Sequence, residues 1–222
     1  MNQAESLLKG LKPDLYRVNA FRLAQLPADA TSREIARRLE KLTMQAKLGG
    51  TAEPIRGPLA LTPPPDLEMV RAAVQRLRDP EVRFIDEFFW FWRESPSPET
   101  PDDALAALDR GDVAAARKTW QDAGNSSAPA HNLAVLAHLM ALDFEQRSLA
   151  TGRVLDTVMC KIRDQTWAEA WKNWRVVLDL PDFWNRLRER IRELNEPQLP
   201  ETLAEELRRA LPVALLGLNA QL

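Results

Sequence analysis

The sequence contains one cysteine, Cys160, and two histidines among 222 residues. A single cysteine cannot form an internal disulfide, and two histidines leave little from which to build a metal cluster. The sequence is also poor in strand formers, with one tyrosine and no sustained alternation of apolar and polar residues. Long stretches of Ala, Leu, Arg and Glu favour helices instead. We therefore expect an all-α protein.

The chain also lacks long hydrophobic runs and a strong charge of one sign. No stretch reaches the ~18 consecutive apolar residues of a membrane helix, and residues 1–12 lack the apolar core of a secretory signal. The 30 basic and 32 acidic side chains nearly balance, so the whole molecule has no built-in attraction to nucleic acid. We expect a cytoplasmic protein, and the missing polar tail after Ala220 suggests a piece of a longer one.

Prolines divide the sequence into helical segments. Residues 51–66 contain six Pro and Gly residues that exclude a helix, and residues 95–101 contain three further prolines. We predict a first domain over 1–94, a linker over 95–101 and a second helical domain over 102–222. Within the first domain, helices are expected over 15–25 and over 79–92.

The sequence is organised around an aromatic run at residues 88–92. Successive helical residues point about 100° apart, so five consecutive aromatic side chains cannot share one stripe of a helix. Two bodies are needed to bury them. We predict that these and a preceding phenylalanine form an interdomain core, namely Phe84, Phe88, Phe89, Trp90, Phe91 and Trp92.

Two segments resemble the J-domain, the DnaJ-type cochaperone module. Residues 19–35, ending in Thr31-Ser32-Arg33-Glu34-Ile35, are similar to the opening of that family, and Leu77-Arg78-Asp79-Pro80-Glu81-Val82-Arg83 is similar to the start of its last helix. The resemblance covers roughly residues 15–92. It implies a short first helix, a second helix and a last helix, with an antiparallel helix pair before the aromatic run.

The chain departs from that family at the tripeptide that stimulates the partner ATPase. In the family, His-Pro-Asp follows the second helix and stimulates ATP hydrolysis by Hsp70, but Lys47-Leu48-Gly49 occupies the corresponding place here. A lysine and a glycine cannot supply an imidazole and a carboxylate. We therefore expect a degenerate J-like domain that does not stimulate hydrolysis.

A basic second helix is retained. Its cationic side chains lie largely opposite the apolar residues Ile35, Leu39 and Leu42. By resemblance, they are the expected partner-binding residues, with an Hsp70-like ATPase as a possible partner: Arg33, Arg37, Arg38, Lys41 and Lys47. The alternative is a solvated polar face without a partner.

The second half resembles tetratricopeptide (TPR) helical hairpins more weakly. The residues Gly111-Asp112, Ala116 and Trp120 are similar to the turn and second helix of such a hairpin, although the ~34-residue period is not kept. Trp167, Trp171 and Trp174 share one helical face, which forms either core or an interface anchor.

No other pattern points to catalysis. His131 and His138 are two helical turns apart, too distant to bind one metal without other ligands, and we expect both to be packed. Cys160 has no histidine at a useful spacing. We expect no catalytic residue, cofactor or metal, and therefore a noncatalytic interaction protein. The alternatives are a nucleic-acid-binding module that uses the basic helix and, less favoured, an enzyme with an unrecognised site.

Overall fold

The computed structural model describes residues 2–55, 59–95, 100–151, 157–194 and 202–219. Throughout these ranges the secondary structure is helical, with no strand, which confirms the all-α prediction. The described helices are α1 (Gln3–Lys9), α2 (Ala20–Ala24), α3 (Ser32–Lys47), α4 (Leu67–Arg76), α5 (Pro80–Phe88), α6 (Asp103–Asp109), α7 (Val113–Asp122), α8 (Ser127–Thr151), α9 (Thr157–Asp179), α10 (Pro181–Leu194) and α11 (Leu203–Asn219).

The chain divides into two compact units. The middle unit is Arg17–Ala123, and the terminal unit combines Met1–Tyr16 with Gly124–Leu222. This division differs from the predicted domains 1–94 and 102–222, because α1 belongs to the terminal unit while α6 and α7 belong to the middle unit. Of the predicted linker, residues 96–99 lie outside the described ranges.

In the middle unit, α2 contacts α4 and α5, α3 contacts α4, and α6 pairs with α7. The starts of these helices are fixed by local capping. The Asp66 carboxylate accepts a hydrogen bond from the Met69 N–H at 2.7 Å, satisfying a free donor of the first turn of α4. The predicted helix over 15–25 is shorter than expected. It begins at Ala20, because the Asn19 side chain caps it, and ends before Gln25, whose backbone is left-handed.

The aromatic run lies partly outside α5. This helix ends at Phe88, and residues 90–92 belong to no helix, so the predicted helix over 79–92 is too long. All six predicted core aromatics are nevertheless buried. The irregular backbone lets consecutive rings point in different directions, as the ring pairs Phe88/Phe89 and Trp90/Phe91 show, each with centroids 5.0 Å apart and an edge-to-face arrangement.

One aromatic pair accounts for the position of α7 in the middle unit. Phe91 stacks on Trp120 of α7, with centroids 5.7 Å apart and planes 13° apart. Trp120 falls in the predicted second domain, so the aromatic run does bury itself against that part of the sequence. The structure places this contact inside one compact unit. The interdomain role of these aromatics therefore stays a prediction.

The terminal unit is built on α8. From Ala128 to Leu142 most of its side chains are buried, so this helix is covered on nearly every side rather than along one stripe. It packs along α9 and contacts α10, which in turn contacts α11. The first helix of the chain, α1, packs on the last, α11, and the Glu206 carboxylate accepts a hydrogen bond from the Ala4 N–H at 3.3 Å.

None of the helices in the described ranges is long and apolar enough to cross a membrane.

Candidate functional site

The helix that carries the predicted partner-binding residues begins with a capping box. The Thr31 hydroxyl oxygen accepts a hydrogen bond from the Glu34 N–H at 3.2 Å, and Glu34 accepts one from the Thr31 N–H at 2.7 Å. The Thr31 hydroxyl also donates a hydrogen bond to the Glu34 carboxylate at 2.7 Å. The two bonds that this carboxylate accepts from the Thr31 N–H and hydroxyl hold its pKa below the usual range. Thus the residues that resemble the J-domain opening have a local physical role in starting α3.

The other end of α3 is fixed by a glycine turn. Gly49 has φ +70°, a conformation that side chains rarely adopt, and the Gly50 N–H donates a hydrogen bond to the Gln45 carbonyl at 2.9 Å. The tripeptide Lys47-Leu48-Gly49 therefore forms the C-terminal end of the helix. Its middle residue, Leu48, is 84% exposed.

The five predicted partner-binding residues do not form one uniform surface. The Arg38 side chain is only 12% exposed, because its Nε donates a hydrogen bond to the Ala24 carbonyl at 3.0 Å. Arg38 also forms an ion pair with Glu53 at 3.2 Å, and Lys41 forms another with the same carboxylate at 2.8 Å. These two cations hold the pKa of Glu53 below its usual range. Both of them therefore also hold the loop after α3 against the helix.

Arg33, Arg37 and Lys47 are the rest of the set and are exposed, as the ion-paired Lys41 also is. At about 100° per residue they lie within an ~80° sector of α3, and Glu40 is the acidic side chain in the same sector. Two exposed apolar side chains share this face at its C-terminal end, Met44 at 66% and Leu48 at 84% exposure. We call Arg33, Arg37, Met44, Lys47 and Leu48 the α3 face.

Sequence reasoning found the cations of the α3 face but missed Met44 and Leu48. The helical spacing contained the signal, since both fall on the polar side of a helix whose buried side carries Ile35 and Leu42. No such signal pointed to Glu53, which neutralises Arg38 and Lys41. Its position depends on how the loop after α3 folds back onto that helix.

The two J-like segments meet in the middle unit. Asp79 caps α5 by accepting hydrogen bonds from the Glu81 and Val82 N–H groups at 3.0 and 3.1 Å. One turn later, the Arg83 guanidinium donates to the Ala30 carbonyl at 2.8 Å, immediately before the α3 cap. The second segment therefore holds the start of α3, the helix that begins within the first segment.

A polar cluster around the buried Asn19 and Asp86 joins three helices of the same unit. Arg76, at the end of α4, donates hydrogen bonds to the Val18 carbonyl at 2.8 Å and to the Asp86 carboxylate at 3.0 Å. Asn19 donates to the Asp86 carbonyl at 2.7 Å. Burial raises the pKa of Asp86 to about 6, although Arg76 opposes the shift. Sequence reasoning missed this cluster.

The two histidines lie packed in the terminal unit. Both are buried on α8, and their rings contact Trp174 with centroids 5.9 Å from His131 and 6.1 Å from His138. The Tyr16 hydroxyl lies 3.0 Å from His138 Nδ1, and burial lowers the pKa of His138 to about 3, so the imidazole is neutral at pH 7. Its neutral ring fits a structural role that ties residue 16 to α8.

The three tryptophans of α9 have different environments. Trp167 and Trp174 are buried, whereas Trp171 is half-buried and lines an open groove. Trp167 donates a hydrogen bond to Glu145 at 3.1 Å, and Trp174 contacts both histidines. Trp167 and Trp174 are therefore core residues, whereas Trp171 is not fully buried in the core.

Cys160 is a partly exposed cysteine. Across the part of the chain that the structure describes, no group of three or more His, Cys, Asp or Glu side chains is arranged to hold a metal ion. Comparison of the chain with protein-family models, with curated proteins and with solved structures found no match.

Proposed function

We propose that this protein is a noncatalytic protein-interaction module, a chaperone-associated adaptor or assembly factor that binds an Hsp70-like ATPase without stimulating its ATP hydrolysis. The observation that carries this proposal is the α3 face. Its exposed cations sit on the helix that corresponds to the basic second helix of a J-domain, while Leu48 and Gly49 occupy the place of the stimulating tripeptide.

The order of helices in the middle unit supports the J-like part of the proposal. A short helix, α2, precedes the long basic α3, which contacts α4, and α5 begins with Asp79-Pro80. The contact between Arg83 and Ala30 adds a reason for both segments to occur together in one unit. The TPR-like part of the proposal has less support, because it rests on one helical hairpin. That hairpin is formed by α6 and α7, with its turn at Gly111, φ +89°.

The chemistry of the α3 face fits an acidic protein surface that offers a small apolar contact. Exposed cations steer an acidic partner and fix its orientation, and an exposed leucine adds apolar area once water is displaced. The face offers guanidinium, ammonium, thioether and aliphatic groups, which suit recognition.

The test is binding of the full chain to the Hsp70-like ATPase of its own cell, measured by isothermal titration calorimetry. Reversing two exposed charges with Arg33→Glu plus Arg37→Glu should raise the Kd about tenfold or more, because both side chains would then repel an acidic surface. Arg38 is unsuitable for this test, since it also holds Ala24 and Glu53.

Arg78→Glu plus Lys118→Glu is the matched control. It changes the net charge equally at two exposed positions of the middle unit outside the α3 face. The control should retain binding within about twofold. Equal losses in both double variants, or no binding by the unaltered chain, would contradict the proposal. Binding to single-stranded DNA that weakens steeply with salt would favour the nucleic-acid alternative instead.

A further inference from the structure

An open groove of about 620 Å³ lies on the terminal unit, along the C-terminal half of α9 and beside the residues that precede α8. This volume is in the range of sites that accept several side chains of a ligand. Its lining combines apolar and polar groups from both segments: Asn125, Ala168, Trp171, Lys172, Arg175, Val176, Asp179 and Leu180.

Trp171 is the apolar centre of this groove. Trp167 and Trp174, four and three residues away, are buried, whereas Trp171 keeps part of its indole accessible. Tryptophan is enriched among the residues that dominate binding energies at interfaces, because it offers a large rigid surface for a small loss of conformational entropy. Its partial exposure inside a concave surface is suited to contact with an apolar side chain.

The charges beside Trp171 favour an acidic ligand. Lys172 and Arg175 are exposed, and neither forms an ion pair with another described residue. The lining also contains one acidic side chain, Asp179. With Lys172 and Arg175, the formal charge of the lining is therefore +1. Arg175 lies one helical turn from Trp171, about 6 Å along the axis, which matches adjacent apolar and acidic side chains on a bound peptide.

We propose that this groove binds a short acidic peptide segment of a protein partner. An apolar side chain of the segment covers Trp171, and neighbouring carboxylates pair with Lys172 and Arg175. The site lies on the terminal unit, whereas the α3 face lies on the middle unit. The proposal does not depend on the function assigned to α3.

Fluorescein-labelled peptides of twelve residues test the proposal by fluorescence anisotropy with the full chain. One peptide carries a central Phe flanked by Glu, and its counterpart carries Lys in place of each Glu. We expect saturable binding of the acidic peptide, at least about tenfold tighter than that of the basic one. Lys172→Glu plus Arg175→Glu should abolish this preference. Trp171→Ala should weaken binding of the acidic peptide about tenfold or more.

Lys161→Glu plus Arg208→Glu is the matched control, with the same change of net charge at exposed positions of the terminal unit outside the groove. It should retain the preference for the acidic peptide. Circular dichroism melting identifies any variant that fails to fold. If Trp171→Ala fails to fold, the substitutions at the exposed Lys172 and Arg175 still test the proposal. No saturable binding up to about 1 mM peptide, equal losses in the control, or tighter binding of single-stranded DNA would overturn the proposal.

Discussion

At the scale of single residues, Asp86 shows how burial and pairing compete. Its side chain is 11% exposed and lies 3.0 Å from the Arg76 guanidinium, yet its pKa is about 6 rather than 3.8. The loss of hydration disfavours the carboxylate by more than the half-exposed Arg76 favours it. At neutral pH Asp86 is therefore ionised in the middle unit, but its carboxylate is less stable there than it would be in water.

We predict that Asp86→Asn changes the pH dependence of stability. A pKa that is raised in the folded state gives stability that is present below pH 4 and is lost as the pH rises through 6. Relative to Asp86→Asn, the unaltered protein should gain about 2 kcal/mol of unfolding free energy between pH 7 and pH 4. Urea unfolding at several pH values measures this difference, and a pH-independent difference would show that Asp86 does not titrate in this range.

Residue roles were predictable only where helical spacing determines them. The exposure of Arg33 and Arg37 follows from their position opposite Ile35 and Leu42. The burial of Arg38 does not, because it depends on carbonyl and carboxylate groups supplied by Ala24 and Glu53 from outside the helix. The same limit explains why the cluster around Asp86 was missed.

At the scale of elements, the chain begins its helices with short-range signals. Asn2, Thr31, Asp66, Asp79 and Asp102 each accept a hydrogen bond from a first-turn N–H group. Such caps act within three residues, so the starts of α3, α4 and α5 could be predicted from the sequence. The end of α5 could not, because packing of the rings at 89–92 replaces helical geometry there.

We predict that Asp79→Ala lowers the unfolding free energy by about 1 kcal/mol, because it removes the acceptor for two N–H groups at the start of α5. Arg78→Ala, at the adjacent exposed position, is the control and should change stability by less than about 0.5 kcal/mol. Chemical denaturation of both variants measures the difference. Equal effects would show that the Asp79 cap contributes no specific stability.

At the scale of the whole molecule, contacts between distant residues set the division into units. Proline composition suggested a boundary near residue 95, but Phe91 stacks on Trp120 and keeps α6 and α7 with the middle unit. Residues 1–16 join the terminal unit through α11 and through the bond between Tyr16 and His138. Neither pairing has a local sequence signal, because each joins residues that are 29 to more than 120 positions apart.

Hydrogen exchange can test this division. Leu8 is 4% exposed on α1, which packs on α11, so Leu8→Ala should destabilise the terminal unit by roughly 2–5 kcal/mol. Mass spectrometry should detect faster amide exchange in α11 and a smaller change in α5. Leu7→Ala, at a half-buried position, is the control with a weaker effect. A larger change in α5 than in α11 would instead favour the predicted domain over 1–94.

The proposed function requires a partner that is bound but not stimulated. The most direct measurement is the single-turnover rate of ATP hydrolysis by the Hsp70-like ATPase, with and without a concentration of this chain that saturates binding. The account predicts a bound complex whose hydrolysis rate equals that of the ATPase alone, because Lys47, Leu48 and Gly49 supply neither an imidazole nor a carboxylate. Accelerated hydrolysis, or no complex at any concentration, would contradict it.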